Sequence, residues 1–425
     1  MGNLLGKKRH AGRPRILLVT MGFTHPPTIG GRQRNNLLLR ALQQIGDVDL
    51  VAIDGRPLDH QDELYMRAHH GLQAVVRMPI HVELPPWRWL APLHPRLIER
   101  LAHNLGKRKR VYQPRQPVAQ AVHRLQEERH YDLVVGRYLQ YAMTAGLHLH
   151  PHSILDVDDV DTEKYRSRID DPNEVFWHRW VLRSHLNQLQ PILRENLPRF
   201  TALWVSNPSD RLLPGLERAR VLVNLPYQAA ISDPPGAWLS PANPNSKIAL
   251  VVSSWGHAPN RHGLDVFLAR VWPRVRQACP DAMLRVVGSQ MTEEMRRKLA
   301  GIPGIHADGY VENLREVYAD SAFSIAPVFS GGGTNIKVLE ALWYGRPCLV
   351  TSVAHRGYQE VLPAGECLEV AHDIDALAEG AVRLYRDPDY RQRLAEAGRA
   401  AVERHFSFRD FCRVVEGTVE QVLRD

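Results

Sequence analysis

"AFSIAPVFSGGGTNIKVLEALWYGRPCLV", Ala322 to Val350, reads as strand, turn, helix and strand in succession. The apolar run "AFSIAPV" has the length of a buried strand, which is expected to end near Phe329. Gly331, Gly332 and Gly333 then make the turn, a helix is expected from about Thr334, and Gly345 precedes a second apolar run. That order is the repeating unit of a parallel sheet covered by helices.

The turn has chemistry of its own. Glycine lets the backbone take positive φ and approach a ligand. The first N–H groups of the helix have no partner within it and favour an anion. Lys337 adds a full charge, and Glu340 follows at i+3 on the same face. Phosphate at the turn with hydroxyls behind it, at Glu340, is the polarity of a nucleotide sugar. The same residues can equally form a tight turn beside an exposed ion pair. Neither GxGxxG nor GxxxxGK[ST] is present, so neither a dinucleotide fingerprint nor a P-loop decides between the two.

Outward from this stretch the alternation repeats. "KIALVVS", "AMLRVVG" and "GIHADGYV" read as further strands, separated by "GLDVFLARVWPRVRQAC" and "EEMRRKLAG" as helices. In the amino-side half "RILLVT", "VDLVAID", "YDLVVG", "SILDVDDV", "TALWVS" and "RVLVNLP" are strand candidates. Between the halves "SDPPGAWLSPANPNS", Ser232 to Ser246, is dense in Pro, Gly, Ser and Asn and reads as a linker. The expected organisation is a basic tail over 1–14, a Rossmann-like half over 15–231, the linker over 232–246 and a second Rossmann-like half over 247–406. A terminal helix over 407–425 follows, expected to pack back on the first half. The fold class is therefore α/β, two doubly wound domains facing across a cleft, with ligands beyond the carboxyl ends of the strands.

With 425 residues and 44% hydrophobic content the chain can bury two such cores. Lys and Arg number 54 against 46 Asp and Glu, a formal charge of +8, which is modest for this length. Cys279, Cys348, Cys367 and Cys412 show neither CxxC nor zinc-like spacing, so a reducing cytoplasm is expected. No run approaches the roughly 20 apolar residues of a membrane span. The basic amino terminus lacks the apolar core of a signal peptide.

From Lys247 onward the chain resembles the donor-binding domain of GT-B glycosyltransferases, specifically the retaining group known as family 4. The resemblance is carried by "SSWGHAPNRHGLDVFLARVWPRVRQACPDAMLRVVG", "GYVENLREVYADSAFSIAPV", "GGGTNIKVLEALWYGRPCLVTS" and "VERHFSF". The amino-side half is similar more loosely, through the "PPTIGGRQRN" turn after its first strand. The resemblance implies that Glu340 is the second glutamate of the family's E-x7-E motif and binds donor ribose. Gly332 stands where the first glutamate of that motif usually lies, a departure that bears on the transferred sugar. Lys337 and Arg261 are implied to take the diphosphate charge, with the amides of Gly331, Gly332, Gly333 and Thr334 beside them. Tyr310 and Val311 match the turn that meets the nucleobase, and Gly30 and Gly31 the turn that closes over diphosphate and sugar.

Asp156, Asp158, Asp159 and Asp161 cluster in "LDVDDVDTEKYRS", at the end of a strand facing the cleft. Asp158 or Asp159 can polarise an acceptor hydroxyl or stabilise positive charge at the reacting carbon. The cluster can instead bind a divalent metal, or cap the helix of "TEKYR". Farther upstream, Leu93, Leu97, Ile98, Leu101 and Leu105 share one helical arc opposite Arg96, Arg100, His103 and Lys107. That helix can rest on an anionic membrane surface or pack on the sheet with its charges solvated. No nucleic-acid motif accompanies it. In "HLHPH", His148 to His152, no partner set for a metal is present.

The expected activity is transfer of a sugar from a nucleotide-diphosphate donor to an acceptor hydroxyl, with retention, as the resemblance implies. The acceptor is expected to be a glycan or lipid-linked. No cofactor and no metal is expected, and no nucleic-acid partner. The expected location is the cytoplasm, with the inner face of the membrane as a peripheral site. A GT-B scaffold without turnover and a nucleotide-sugar epimerase are the alternatives. Sugar transfer excludes the first, and interconversion of two UDP-sugars without acceptor reveals the second.

Overall fold

The computed structural model describes residues 12–22, 30–54, 72, 75–79, 114, 116–171, 174, 176–227, 231 and 240–424. Its strands are β1 (Arg15–Met21), β2 (Asp47–Asp54), β3 (Val75–Pro79), β4 (Leu133–Arg137), β5 (Ser153–Asp158), β6 (Ala202–Val205) and β7 (Arg220–Val221). A second set follows: β8 (Ile248–Val252), β9 (Met283–Val287), β10 (Ile305–Gly309), β11 (Phe323–Ala326), β12 (Cys348–Thr351) and β13 (Glu369–Ala371). The first seven form one sheet in the order β3-β2-β1-β4-β5-β6-β7, and the other six form a second in the order β10-β9-β8-β11-β12-β13. Neighbouring strands in both sheets run parallel. This is the α/β architecture of the GT-B fold.

Helices on both faces explain why the central strands are apolar throughout rather than alternating. Ile16, Leu17, Leu18 and Val19 of β1 are all fully buried. The helix Gly30–Ile45 turns Leu37, Leu38, Ala41 and Leu42 inward, a stripe of helical period. The helix Phe408–Arg424 buries Phe411, Val415, Thr418, Val419 and Val422 in the same way. It lies against Gly30–Ile45, and Trp204 Nε1 of β6 donates to Thr418 Oγ1 at 3.1 Å. The carboxyl end of the chain thus completes the core of the amino-side half.

Several elements differ from the sequence expectation. The strand opening the glycine turn stops at Ala326, and the helix after it spans Ile336–Trp343 with Asn335 at its cap. Pro327 is one reason, since it has no N–H to continue the ladder. The "RVLVNLP" segment contributes only Arg220–Val221 as strand. β3 and β13 are edge strands that the sequence did not announce. Trp272 to Ala278 continues the helix begun at Ala258 through a π-helical turn at Phe267–Val271, despite Pro273.

Each sheet reverses its winding once, between β1 and β4 in the first and between β8 and β11 in the second. Crevices at the carboxyl ends of such strand pairs are where open α/β sheets take ligands. Both crevices carry charged residues here.

Candidate functional site

On the carboxyl-side half, Lys337 sits in the first turn of Ile336–Trp343 and reaches back to the end of β8. Its Nζ donates to Ser253 Oγ at 2.8 Å and to Asn260 Oδ1 at 2.9 Å. Burial holds its ammonium down to about 8, with Glu340 opposing that shift. Glu340 lies one turn deeper and is itself buried, accepting from Tyr318 Oη at 3.3 Å. Burial pushes its carboxyl up to about 7. Asn335 provides no side-chain cap for the helix.

Gly331, Gly332 and Gly333 lie in the loop before this helix. Gly331 has φ 141° and Gly333 φ 66°, so two of the three positions need glycine for conformation alone. Arg356 Nη2 donates to Gly331 O at 2.9 Å and holds the loop in place. Gly331 N donates to Ser167 Oγ at 2.9 Å, a contact across the cleft. Thr334 Oγ1 accepts from Asn224 Nδ2 at 3.0 Å, a second crossing.

Arg261 is exposed and anchored by Nη1 to Trp255 O at 2.5 Å. Beside it, burial and then the charges of Lys337, Lys164 and Arg261 hold His257 below its ordinary pKa. Those three cations, drawn from both halves, all act on one imidazole. Tyr310 is exposed and Val311 half-buried just after β10, following Gly309 at φ 77°.

On the amino-side half, Gly30 and Gly31 do not form a free turn. They are the first two residues of the helix Gly30–Ile45. Gly31 O accepts from Arg137 Nη1 at 2.6 Å, and a Cβ on Gly31 would stand 3.1 Å from Tyr138 Oη. Behind them lies a buried network of two arginines and two aspartates. Arg34 grips Asp156 bidentately, Nε to Oδ2 at 2.8 Å and Nη2 to Oδ1 at 2.7 Å. Arg137 Nε lies 2.8 Å from Asp156 Oδ2, and its Nη2 donates to Asp158. Arg34 Nη1 also donates to Leu222 O at 2.8 Å and to Asn224 Oδ1 at 2.9 Å.

The four acids of this strand end therefore have different partners. Burial works against ionisation of Asp158, but Arg34 and Arg137 beside it hold its carboxyl down to about 2. Its oxygens are taken by Arg137, Asn224 and Tyr138. Asp159 and Asp161 flank Lys164, at 3.2 and 3.0 Å. The cap of the helix Asp161–Ile169 is Val160, without a side-chain hydrogen bond, and Asp161 and Glu163 stand in the first turn instead. Among the described residues no group of three or more His, Cys, Asp or Glu is arranged to hold a metal ion. Arg96, Arg100 and Lys107 lie outside the described residues.

Lys164, His257, Asn260, Ser253 and Asn224 join this site without having been singled out in the sequence. Asn260 is the neighbour of Arg261 in "GHAPNRHG", and its place in the first turn of the helix after β8 was the available signal. Asn224 and Lys164 carry no motif, because their role arises from the meeting of two halves.

Two parallel sheets with their crevices brought together, a glycine loop and a helix carrying Lys337 and Glu340 define the class: the chain has the GT-B fold. Residues 246–387 match the family model described as "Glycosyl transferases group 1". The chain is 29% identical over 151 residues to the GDP-mannose-dependent monoacylated alpha-(1-6)-phosphatidylinositol monomannoside mannosyltransferase of Corynebacterium glutamicum, covering 33% of this chain and 39% of that protein. It is 30% identical over 150 residues to the phosphatidyl-myo-inositol mannosyltransferase of Mycobacterium leprae, covering 34% and 39%. The matched segment thus spans about two fifths of the length of these curated relatives. Among solved structures, a variant of S. aureus TarM in complex with fondaparinux, alpha-GlcNAc-glycerol and UDP has TM-score 0.64 and 10% identity, covering 96% of this chain and 99% of that one.

Proposed function

We propose that the chain is a glycosyltransferase that moves a sugar from a nucleotide-diphosphate donor to an acceptor hydroxyl with retention. The observation that carries this is the convergence of Lys337, Ser253 and Asn260 at the end of β8 with the glycine loop after β11. The diphosphate would lie against the loop and the uncapped helix end, with Lys337 and Arg261 taking up charge as it departs. Glu340 would accept from ribose hydroxyls, and Tyr310 and Val311 would meet the base. Gly30 and Gly31, at the head of their helix, would close the other side. No side chain is assigned as a nucleophile.

A metal is not part of this reading, since side-chain cations meet the same need. GDP-mannose is the first donor to test, because the C. glutamicum relative is named for it, and UDP-sugars are the second, because the TarM structure holds UDP. A glycolipid acceptor is the counterpart, since both curated relatives are named for phosphatidylinositol substrates. No described helix is long and apolar enough to cross a membrane, so such an acceptor would be met at the bilayer surface. The test is thermal stability with GDP, UDP, ADP, CDP and dTDP and their sugars, in EDTA and then in magnesium. A ligand at 100 times its Kd adds about 2.7 kcal/mol. Stabilisation by one base class that Lys337→Ala removes supports the reading. No stabilisation by any of them overturns it.

A further inference from the structure

Within the acidic strand end, Asp159 has a buried carboxylate oxygen without a hydrogen-bond partner among the described residues. At Asp158 the backbone takes φ 55°, which is uncommon for a residue other than glycine. β5 shifts its register against β6 at the same place. Asp158 consequently faces the buried arginines while Asp159 faces the cleft. Its Oδ2 lies 3.2 Å from Lys164 Nζ. Its Oδ1 is buried with no hydrogen-bond partner among the described residues.

That oxygen rests on the glycine loop of the other half. A Cβ built on Gly332 would stand 1.8 Å from Asp159 Oδ1 and 2.9 Å from its Cγ. Gly331 and Gly333 are glycines for conformation, but Gly332 has no left-handed dihedral to account for its identity. Its missing side chain makes room for Asp159. The loop does not satisfy the oxygen in return, since the Gly331 amide is taken by Ser167 Oγ. A buried carboxylate oxygen without a donor is costly, and its position persists only where something repays that cost.

We propose that Asp159 recognises the transferred sugar, its partly exposed carboxylate accepting from a sugar hydroxyl beside the glycine loop. This rests on the donor site proposed above. A sugar hydroxyl can donate to the carboxylate, whereas a bare diphosphate offers only further negative charge. Asp159 therefore favours the nucleotide sugar over the nucleoside diphosphate, and it does so from the opposite half of the molecule. Engagement of the sugar is thereby tied to the two halves being together.

The test is the ratio of affinities of the full chain for GDP-mannose over GDP, UDP-glucose over UDP, and UDP-N-acetylglucosamine over UDP. Asp159→Asn keeps the shape and removes the charge. It should lower the ratio about tenfold or more for the sugar that binds, with diphosphate affinity equal or higher. Gly332→Ala leaves Asp159 chemically intact but puts a methyl group in its place, and should lower the same ratio. A wild-type chain that binds a nucleotide sugar, with both variants keeping its ratio, overturns the proposal and leaves the donor site standing. A wild-type chain that binds none of these ligands brings down the donor site and the proposal together.

Discussion

Asn224 and Thr334 join the two halves at the mouth of the cleft, Nδ2 donating to Oγ1 at 3.0 Å. The same amide donates to Asp158 Oδ1 at 3.1 Å, and Asn224 Oδ1 accepts from Arg34. A buried charge network of one half is thereby wired to the glycine loop of the other. Asn224→Ala should cost about 1–3 kcal/mol, because it strands acceptors in a buried site. Thr334→Val removes the crossing bond without stranding the Asp158–Arg34 network and should cost about 1 kcal/mol. Urea unfolding of both variants checks the ordering, and equal losses would mean that the crossing bond carries the whole effect.

Lys337 gives a prediction in pH. Its folded pKa of about 8 lies below the 10.5 of the free side chain. Between those values the unfolded chain binds more protons, so stability should rise with pH through that window. Lys337→Met should flatten that rise and make the ligand-free protein more stable at pH 7. An anion beside Nζ restores the charged form. Binding of the stabilising nucleoside diphosphate should therefore take up a proton above pH 8 and weaken as pH climbs further. Calorimetry in two buffers of different ionisation heat reads that proton. At pH 7 the Met variant should bind the diphosphate about 10- to 100-fold more weakly.

Glu340 shifts stability in the opposite sense. Its carboxyl titrates at about 7 in the folded chain against 4.5 in the free side chain. The folded state holds the extra proton between those values, so stability should fall as pH rises through 4.5 to 7. Burial raises Asp159 to about 6 and Asp210 to about 7, and both contribute the same sign. The informative quantity is thus the difference between wild type and Glu340→Gln. The variant should lose part of the slope and be the more stable of the two at pH 8, while binding nucleoside diphosphate more weakly. Melting temperatures across pH 4.5–8.5 test this, and parallel curves would show that Glu340 does not titrate there.

The two sheets were legible because their central strands are short apolar runs separated by helical periods, as "RILLVT" and "KIALVVS" show. Of the four edge strands, β7 and β10 fell inside strand candidates, whereas β3 and β13 did not; β13 has three residues, too few for any pattern. In the site, Lys337 and Glu340 were legible from one helical turn beside a glycine loop. Asp156 and Asp158 look alike in sequence to Asp159 and Asp161. What separates them is Arg34 and Arg137, which arrive from 122 and 21 positions away. Gly332 stood out in the sequence only as a glycine where the resembled family has a glutamate, and only the facing half shows what fills its space.

That buried network yields the most demanding test of the amino-side half. Arg34 and Asp156 are both fully buried, and each is paired in more than one direction. Removing one partner leaves the other charged and desolvated, which typically costs 3–5 kcal/mol, as a rough figure for such pairs. Arg34→Met and Asp156→Leu should each destabilise by about that amount. Made together, they remove both charges at once, and the loss should be well below the sum of the single losses. Arg137 still needs Asp156, however, so the double variant should not recover full stability. Urea unfolding of the four proteins closes the cycle. Additive losses would show that the two side chains act independently despite two hydrogen bonds between them.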